Sequence, residues 1–148
     1  MHILSAEKRH IKSISEFQVA MANETESLKL DPLNTEKGVT AIFDDPSKGE
    51  YLVCEIEGKA VGCLLTLYEW SDWRNGNVIW VHSVYVKPEF RKKGIYKTLY
   101  DKIKSKVKDN PEFLGIRLYV DKRNHLAQEA YKSLGMTNEH YELFEWMQ

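Results

Sequence analysis

Three consecutive basic residues followed by a glycine form the segment with the clearest chemical meaning, Arg91-Lys92-Lys93-Gly94-Ile95-Tyr96. A helix that begins here leaves backbone N–H groups unpaired at the positive end of its dipole. A glycine lets a bulky anion approach that backbone closely, and nearby cations strengthen its binding. The pattern therefore predicts a diphosphate-binding turn, although such basic turns are also commonly no more than solvated surface.

His82 is the candidate for accepting a proton. It lies two residues before Val84, in a run rich in β-branched and aromatic residues that predicts a strand. A histidine titrates near neutrality and could deprotonate an amine. The alternative is a structural histidine bonded to a neighbour. Ser83 is expected to face the opposite side of the strand.

Two carboxylates, Glu69 and Asp72, stand among aromatic residues in the segment Tyr68-Glu69-Trp70-Ser71-Asp72-Trp73. Carboxylates beside aromatic faces could hold an ammonium group by charge and cation–π attraction. The same segment could instead be an exposed hairpin tip that packs its tryptophans against a second subunit. Of the two, substrate binding is our prediction.

The elements that must position these residues follow from periodicity and turn signals. Strands are predicted near residues 2–4, 51–56, 60–68, 78–86, 114–120 and 141–147. Helices are predicted near 8–24, 38–43, from 95 to the Asn110-Pro111 stop, and over 127–134, with a loop at 25–37. This order predicts an α/β fold with one mixed sheet and helices on both faces. No linker or repeat interrupts residues 1–148, so a single domain is expected.

Composition limits the classes of partner. The formal net charge is −1, from 21 basic and 22 acidic residues, whereas a nucleic-acid binder usually carries a basic excess. No apolar run reaches the length of a membrane span, and no metal-ligand spacing is present. Cys54 and Cys63 are expected to be free buried thiols. A cytoplasmic protein without nucleic-acid or membrane partners is predicted.

The basic turn resembles a signature of the GNAT superfamily of N-acetyltransferases, which has Arg or Gln, two residues, Gly, one residue, then Gly or Ala. Arg91 and Gly94 match this signature, and Tyr96 departs from it where the family prefers a small residue. The resemblance implies that main-chain amides of this turn bind the pyrophosphate of acetyl-CoA. It also implies that the strand Val84-Tyr85-Val86 pairs with pantetheine, in a V-shaped gap beside residues 114–120.

A second signature of the same superfamily matches Asn124, Ala127, Tyr131 and Gly135. Asn124 is typical of a helix N-cap and Gly135 fits the position after a helix. Spacing alone favours Tyr131 as a core aromatic. With the family's pattern it becomes the candidate that protonates the departing thiolate, while Asn124 lies beside the pantetheine arm.

The resemblance implies transfer of an acetyl group from acetyl-CoA to a primary amine of a small molecule, by direct attack in a ternary complex. The acceptor could be polyamine-, amino-acid- or aminoglycoside-like, or a protein or peptide amine. A non-catalytic acyl-CoA sensor and a nucleotide-binding protein are the alternatives. Proteins of this type often form homodimers.

Overall fold

The computed structural model describes all 148 residues, in two compact units, Met1–Arg117 and Leu118–Gln148. The first unit contains one five-stranded sheet and three helices. Its strands are β1 (His2–Ser5), β2 (Glu50–Ile56), β3 (Lys59–Ser71), β4 (Gly76–Val86) and β5 (Phe113–Arg117). Its helices are α1 (Ile11–Glu26), α2 (Pro32–Asp44) and α3 (Ile95–Asp109).

The sheet is mixed, as predicted. Strands β1 to β4 are antiparallel neighbours in chain order, and β5 pairs with β4 in parallel. The predicted Glu57-Gly58 turn joins β2 to β3 with both residues at positive φ, 51° and 72°, the geometry of a tight hairpin turn. The parallel pairing needs a crossover, which α3 supplies.

Helices cover both faces of the sheet. Ile14 of α1 and Val39 of α2 pack into one core cluster with inward-facing strand residues such as Val53 and Leu65. The opposite face packs against α3, whose residues Ile95, Leu99 and Ile103 are buried at the predicted steps of four. No helix of the chain is both long and apolar enough to cross a membrane.

The predicted loop at 25–37 is wrong over most of its length. Helix α2 begins at Pro32, six residues before the predicted start, because Asp31 caps it. The Asp31 carboxylate accepts hydrogen bonds from the amides of Leu33 and Asn34, and a proline is well tolerated at the first helical position. The Asp-Pro pair is a helix-start signal that outweighs the polar composition.

The second unit contains α4 (His125–Ser133). The N-cap prediction for Asn124 is confirmed, because its side chain accepts from the amide of Ala127 at 3.1 Å. Gly135 has a φ of 86°, as expected just after a helix. The predicted strand at 141–147 is wrong: these residues form no ladder and are exposed. Alternation of apolar residues indicates strand propensity but cannot supply the partner strand.

Candidate functional site

Strand β5 pairs with only the first half of β4. Trp80 opposite Arg117 is the last pair in the β4–β5 ladder, yet β4 continues to Val86. Over residues 81–86, one edge of β4 pairs with β3 and no strand pairs with the other. Backbone groups along such an edge are available to an extended ligand. The predicted strand 114–120 is shorter than expected and ends at Arg117.

A bulge reorients the residues of β4 on this edge. Leu65 lies opposite His82 and Cys63 lies opposite Tyr85, so Ser83 and Val84 together face the single residue between them on β3. Ser83 has a φ of 51°. The extra residue places His82 and Tyr85 on the same face, the one that α1 covers, whereas regular alternation over three residues would separate them.

The predicted anion-binding turn joins the end of β4 to the start of α3. After a short 3-10 segment at Pro88–Phe90, Lys92 and Gly94 both have positive φ, 60° and 77°. Gly94 is the N-cap of α3 and provides no side-chain cap for its first amides. A Cβ built on Gly94 would meet no atom within 4 Å. A ligand can therefore approach the backbone at Gly94, where a helix begins without a side-chain cap, as an anion cradle requires.

The five predicted side chains of the turn have different surroundings. Arg91 Nε donates to the carbonyl of Val86 at 2.8 Å, and its guanidinium lies 5.5 Å from the Tyr85 ring centroid. Lys93 lies 5.1 Å from the ring centroid of Phe90, and neither lysine of the turn is in an ion pair. Ile95 is buried, and Tyr96 lies beside Tyr100 with ring centroids 6.2 Å apart.

His82 is half-buried on β4, with its ring centroid 6.2 Å from that of Trp80. Burial lowers the pKa of His82 below its ordinary value of 6.5, because a low-dielectric environment disfavours the imidazolium. A histidine with a lowered pKa is neutral at physiological pH. It therefore has the protonation state that a general base needs.

Glu69 and Asp72 have separate roles in the structure. Glu69 Oε2 accepts from Arg117 at 2.8 Å and from the Trp80 indole at 3.1 Å. Asp72 lies in the turn after β3 and accepts from the amide of Trp73 at 3.0 Å. Trp73 is exposed. The two carboxylates thus do not share a contact, and only Glu69 lies on the His82 face of the sheet.

Tyr131 lies on α4 in the second unit and is partly buried. Burial raises its pKa above the ordinary value of 10, since the phenolate is disfavoured away from water. The phenol therefore keeps its proton at neutral pH. Asn124 fixes the N-terminus of the same helix.

Three residues of the first unit's site were not predicted from the sequence: Glu24, Trp80 and Arg117. Glu24 Oε2 accepts from Arg91 at 2.6 Å across 67 residues of sequence. Trp80 and Arg117 are paired across β4 and β5 and both bond to Glu69. The prediction of neighbouring parallel strands at 78–86 and 114–120 could have indicated that Trp80 and Arg117 lie close together. No sequence signal points to Glu24.

The known proteins that this chain resembles include acetyltransferases. An uncharacterized N-acetyltransferase of Methanocaldococcus jannaschii is 34% identical over 86 residues, covering 57% of this chain and 38% of that protein. The chain thus matches well under half of that relative's length.

Solved structures share the whole fold. The crystal structure of a possible acetyltransferase from Clostridium difficile 630 has a TM-score of 0.93 at 39% identity, covering 99% of this chain and 97% of that one. A predicted acetyltransferase from Clostridium acetobutylicum, solved with acetyl-CoA, has a TM-score of 0.77 at 13% identity, covering 97% and 95%. The model of the acetyltransferase (GNAT) family matches residues 12–136, most of both units, and this chain belongs to that family.

Proposed function

We propose that the protein transfers an acetyl group from acetyl-CoA to a primary amine of a small molecule. The observation that carries the proposal is the turn at Gly94, where α3 begins without a side-chain cap and the Cβ position of the glycine faces open space, close in sequence to the half of β4 that β5 does not pair. Membership of the GNAT family supports the reaction class. The small size of the acceptor is our inference.

The residues of the turn fit the pyrophosphate of CoA. The amides of Gly94, Ile95 and Tyr96 would donate to the phosphate oxygens, with Lys92 and Lys93 adding positive charge. The open space at the Gly94 Cβ position supports this fit, because a ligand can approach the backbone there. The edge of β4 at Val84, Tyr85 and Val86 would pair with the amides of pantetheine.

The chemistry needs one proton acceptor and one proton donor. The amine nitrogen attacks the thioester carbonyl, forming a C–N bond as the C–S bond breaks, and the nitrogen loses a proton to His82, directly or through water. The thiolate takes a proton from the phenol of Tyr131. Since the phenol is a weaker acid than the thiol, Tyr131 acts only if it is held close to the sulfur.

Glu69 and Asp72 are the proposed contacts for the acceptor's ammonium group. Glu69 has the stronger support, because it lies on the His82 face and keeps a second carboxylate oxygen besides the one that Arg117 and Trp80 contact. Asp72 would act from the neighbouring turn. A peptide or protein amine remains the alternative acceptor for the same chemistry.

Free-thiol release tests the proposal. The protein is incubated with acetyl-CoA and a panel of polyamines, amino acids, aminoglycosides and peptides. Amine-dependent thiol release with one small-molecule class supports the proposal, and turnover with peptides alone would move the acceptor to proteins. CoA binding without turnover on any amine would support a sensor, and an absence of CoA binding would remove the acyl-CoA function.

We further infer a homodimer in the cytoplasm. Five large apolar residues of the C-terminal segment are 57–88% exposed: Tyr141, Leu143, Phe144, Trp146 and Met147. So much apolar surface favours burial against another molecule. Cys54 and Cys63 form no disulfide, as expected in a reducing compartment. Light scattering that gives a monomer mass would contradict the dimer.

A further inference from the structure

Glu24 links the end of α1 to two parts of the cofactor-binding region. Its Oε2 accepts from Arg91 Nη2 at 2.6 Å, and its Oε1 accepts from the Tyr85 hydroxyl at 3.1 Å. Tyr85 belongs to β4, and Arg91 opens the turn that leads to α3. One carboxylate thus joins α1 to β4 and to the turn that follows β4, both more than 60 residues away in sequence.

The position of Glu24 within α1 is electrostatically unfavourable by itself. It lies in the last turn of a 16-residue helix that has no basic residue there, and the negative end of the helix dipole repels a carboxylate. Arg91 supplies the missing positive charge from another element. Tyr85 supplies a second donor, and burial together with the neighbouring carboxylate raises the pKa of Tyr85, so its hydroxyl stays protonated.

Arg91 is held in several ways at once. One guanidinium nitrogen bonds to Glu24, Nε bonds to the Val86 carbonyl, and the group lies over the Tyr85 ring. A planar guanidinium held by directed bonds is well suited to fix one geometry. The Arg91 side chain therefore spans from the end of β4 back to α1, while the lysines that follow it carry no ion pair.

We propose that Glu24 is a positioning residue for the pyrophosphate turn, acting through Arg91 and Tyr85 rather than on the ligand. The Glu24–Arg91 pair holds the start of the turn against α1 and β4, so that the amides at Gly94 are oriented before CoA arrives. Arg91 is then a structural support for the turn, and the ligand's negative charge is met by the α3 amides and the two lysines. This inference rests on the proposed function of the turn.

The competing assignment is that Arg91 contacts the phosphates and that Glu24 competes for it. The two assignments predict opposite signs for Glu24→Gln. If Glu24 positions the turn, CoA affinity falls by roughly tenfold, because the ordering of the turn must be supplied on binding. If Glu24 competes with the ligand for Arg91, removing its charge makes CoA bind more tightly.

The control variant is Glu26→Gln, which removes a carboxylate from the same helical turn and changes the helix dipole interaction equally. Calorimetric titration with CoA and with pantetheine, which lacks the pyrophosphate, is performed on both variants and on the wild type. We expect Glu24→Gln to bind CoA more weakly than the wild type but to bind pantetheine equally well. Its KM for acetyl-CoA should rise while kcat stays nearly unchanged. Glu26→Gln should match the wild type in all of these measurements.

A double-mutant cycle with Arg91→Gln completes the test. If the two side chains act as one unit, each single variant binds CoA more weakly than the wild type, and the double variant loses no further CoA affinity beyond that of the single variants. Equal CoA affinity in Glu24→Gln and Glu26→Gln, tighter binding by Glu24→Gln, or additive losses would overturn the inference. A wild type that binds no CoA would instead reject the proposed function itself.

Discussion

The carboxylate of Glu69 on β3 accepts a hydrogen bond from Arg117 on β5 at 2.8 Å, across the intervening strand β4 and at the point where the β4–β5 ladder ends. A carboxylate that already has one cation partner attracts a second cation less strongly than an unpaired one. The ammonium of an acceptor would therefore meet a Glu69–Arg117 pair and not an isolated negative charge.

Glu69→Gln is expected to raise KM for the amine by about tenfold or less, because partial neutralisation by Arg117 limits the charge that Glu69 offers. The KM for acetyl-CoA should stay unchanged, since the contact concerns the acceptor only. Steady-state kinetics with each substrate varied in turn provides the measurement. Asp72→Asn serves as the comparison, and an unaltered amine KM in both variants would remove these carboxylates from acceptor binding.

If His82 is the proton acceptor, its titration should produce the acid limb of the pH profile of kcat/KM for the amine. Because burial lowers the pKa of His82 below 6.5, the base is protonated and inactive only at acidic pH. The kcat/KM for the amine should then fall through an apparent pKa below 6.5 as the pH decreases. His82→Gln should lower kcat by about 100-fold and abolish this limb. A limb that persists unchanged in the variant would assign the proton to another group.

Tyr131→Phe removes the proposed proton donor and keeps the ring. The maximal rate should fall at least about tenfold, while the dissociation constant for CoA changes little, because the hydroxyl would act on the developing thiolate. Single-turnover thiol release and calorimetry separate the two effects. An unchanged maximal rate would leave Tyr131 with a packing role, and the raised pKa from burial is compatible with that role also.

Leu99 tests the packing that supports the turn. It is fully buried on α3, so Leu99→Ala should lower the free energy of unfolding by about 2–5 kcal/mol. Lys97→Ala on the exposed side of the same helix should change it by about 1 kcal/mol or less, since its ion pair with Asp101 is exposed. Urea unfolding followed by circular dichroism measures both. Equal losses would contradict the assigned core face.

Local signals predicted those parts of the fold in which neighbours in sequence are neighbours in space. The steps of four along α3, the Glu57-Gly58 turn and the Asn124 cap are of this kind, and each is confirmed. The polar composition of residues 25–37 predicts a loop, but the helix-start signal of Asp31-Pro32 decides the local structure, and α2 begins at Pro32.

Features that depend on distant partners could not be read from local patterns. The bulge at Ser83 arises in the register with β3, and it moves Tyr85 to the face of His82 against simple alternation. The Glu24–Arg91 contact joins residues 67 positions apart. The C-terminal segment shows that alternation without a pairing edge does not make a strand.

Gly94→Ala probes the turn at the position where the backbone meets open space. Both Gly94 and Gly58 have positive φ, 77° and 72°, and neither has an atom within 4 Å of a built Cβ. Alanine therefore costs a similar strain of about 1–2 kcal/mol at each position. Only at Gly94 would the added methyl group enter the space proposed for the pyrophosphate.

Calorimetric titration of CoA into the wild type, Gly94→Ala and Gly58→Ala tests most directly whether this turn binds the pyrophosphate. We predict that the wild type and Gly58→Ala bind CoA equally, that Gly94→Ala binds it at least about tenfold more weakly, and that all three bind pantetheine alike. Equal CoA affinity in all three proteins, or no measurable binding to the wild type, would contradict the assignment of the turn.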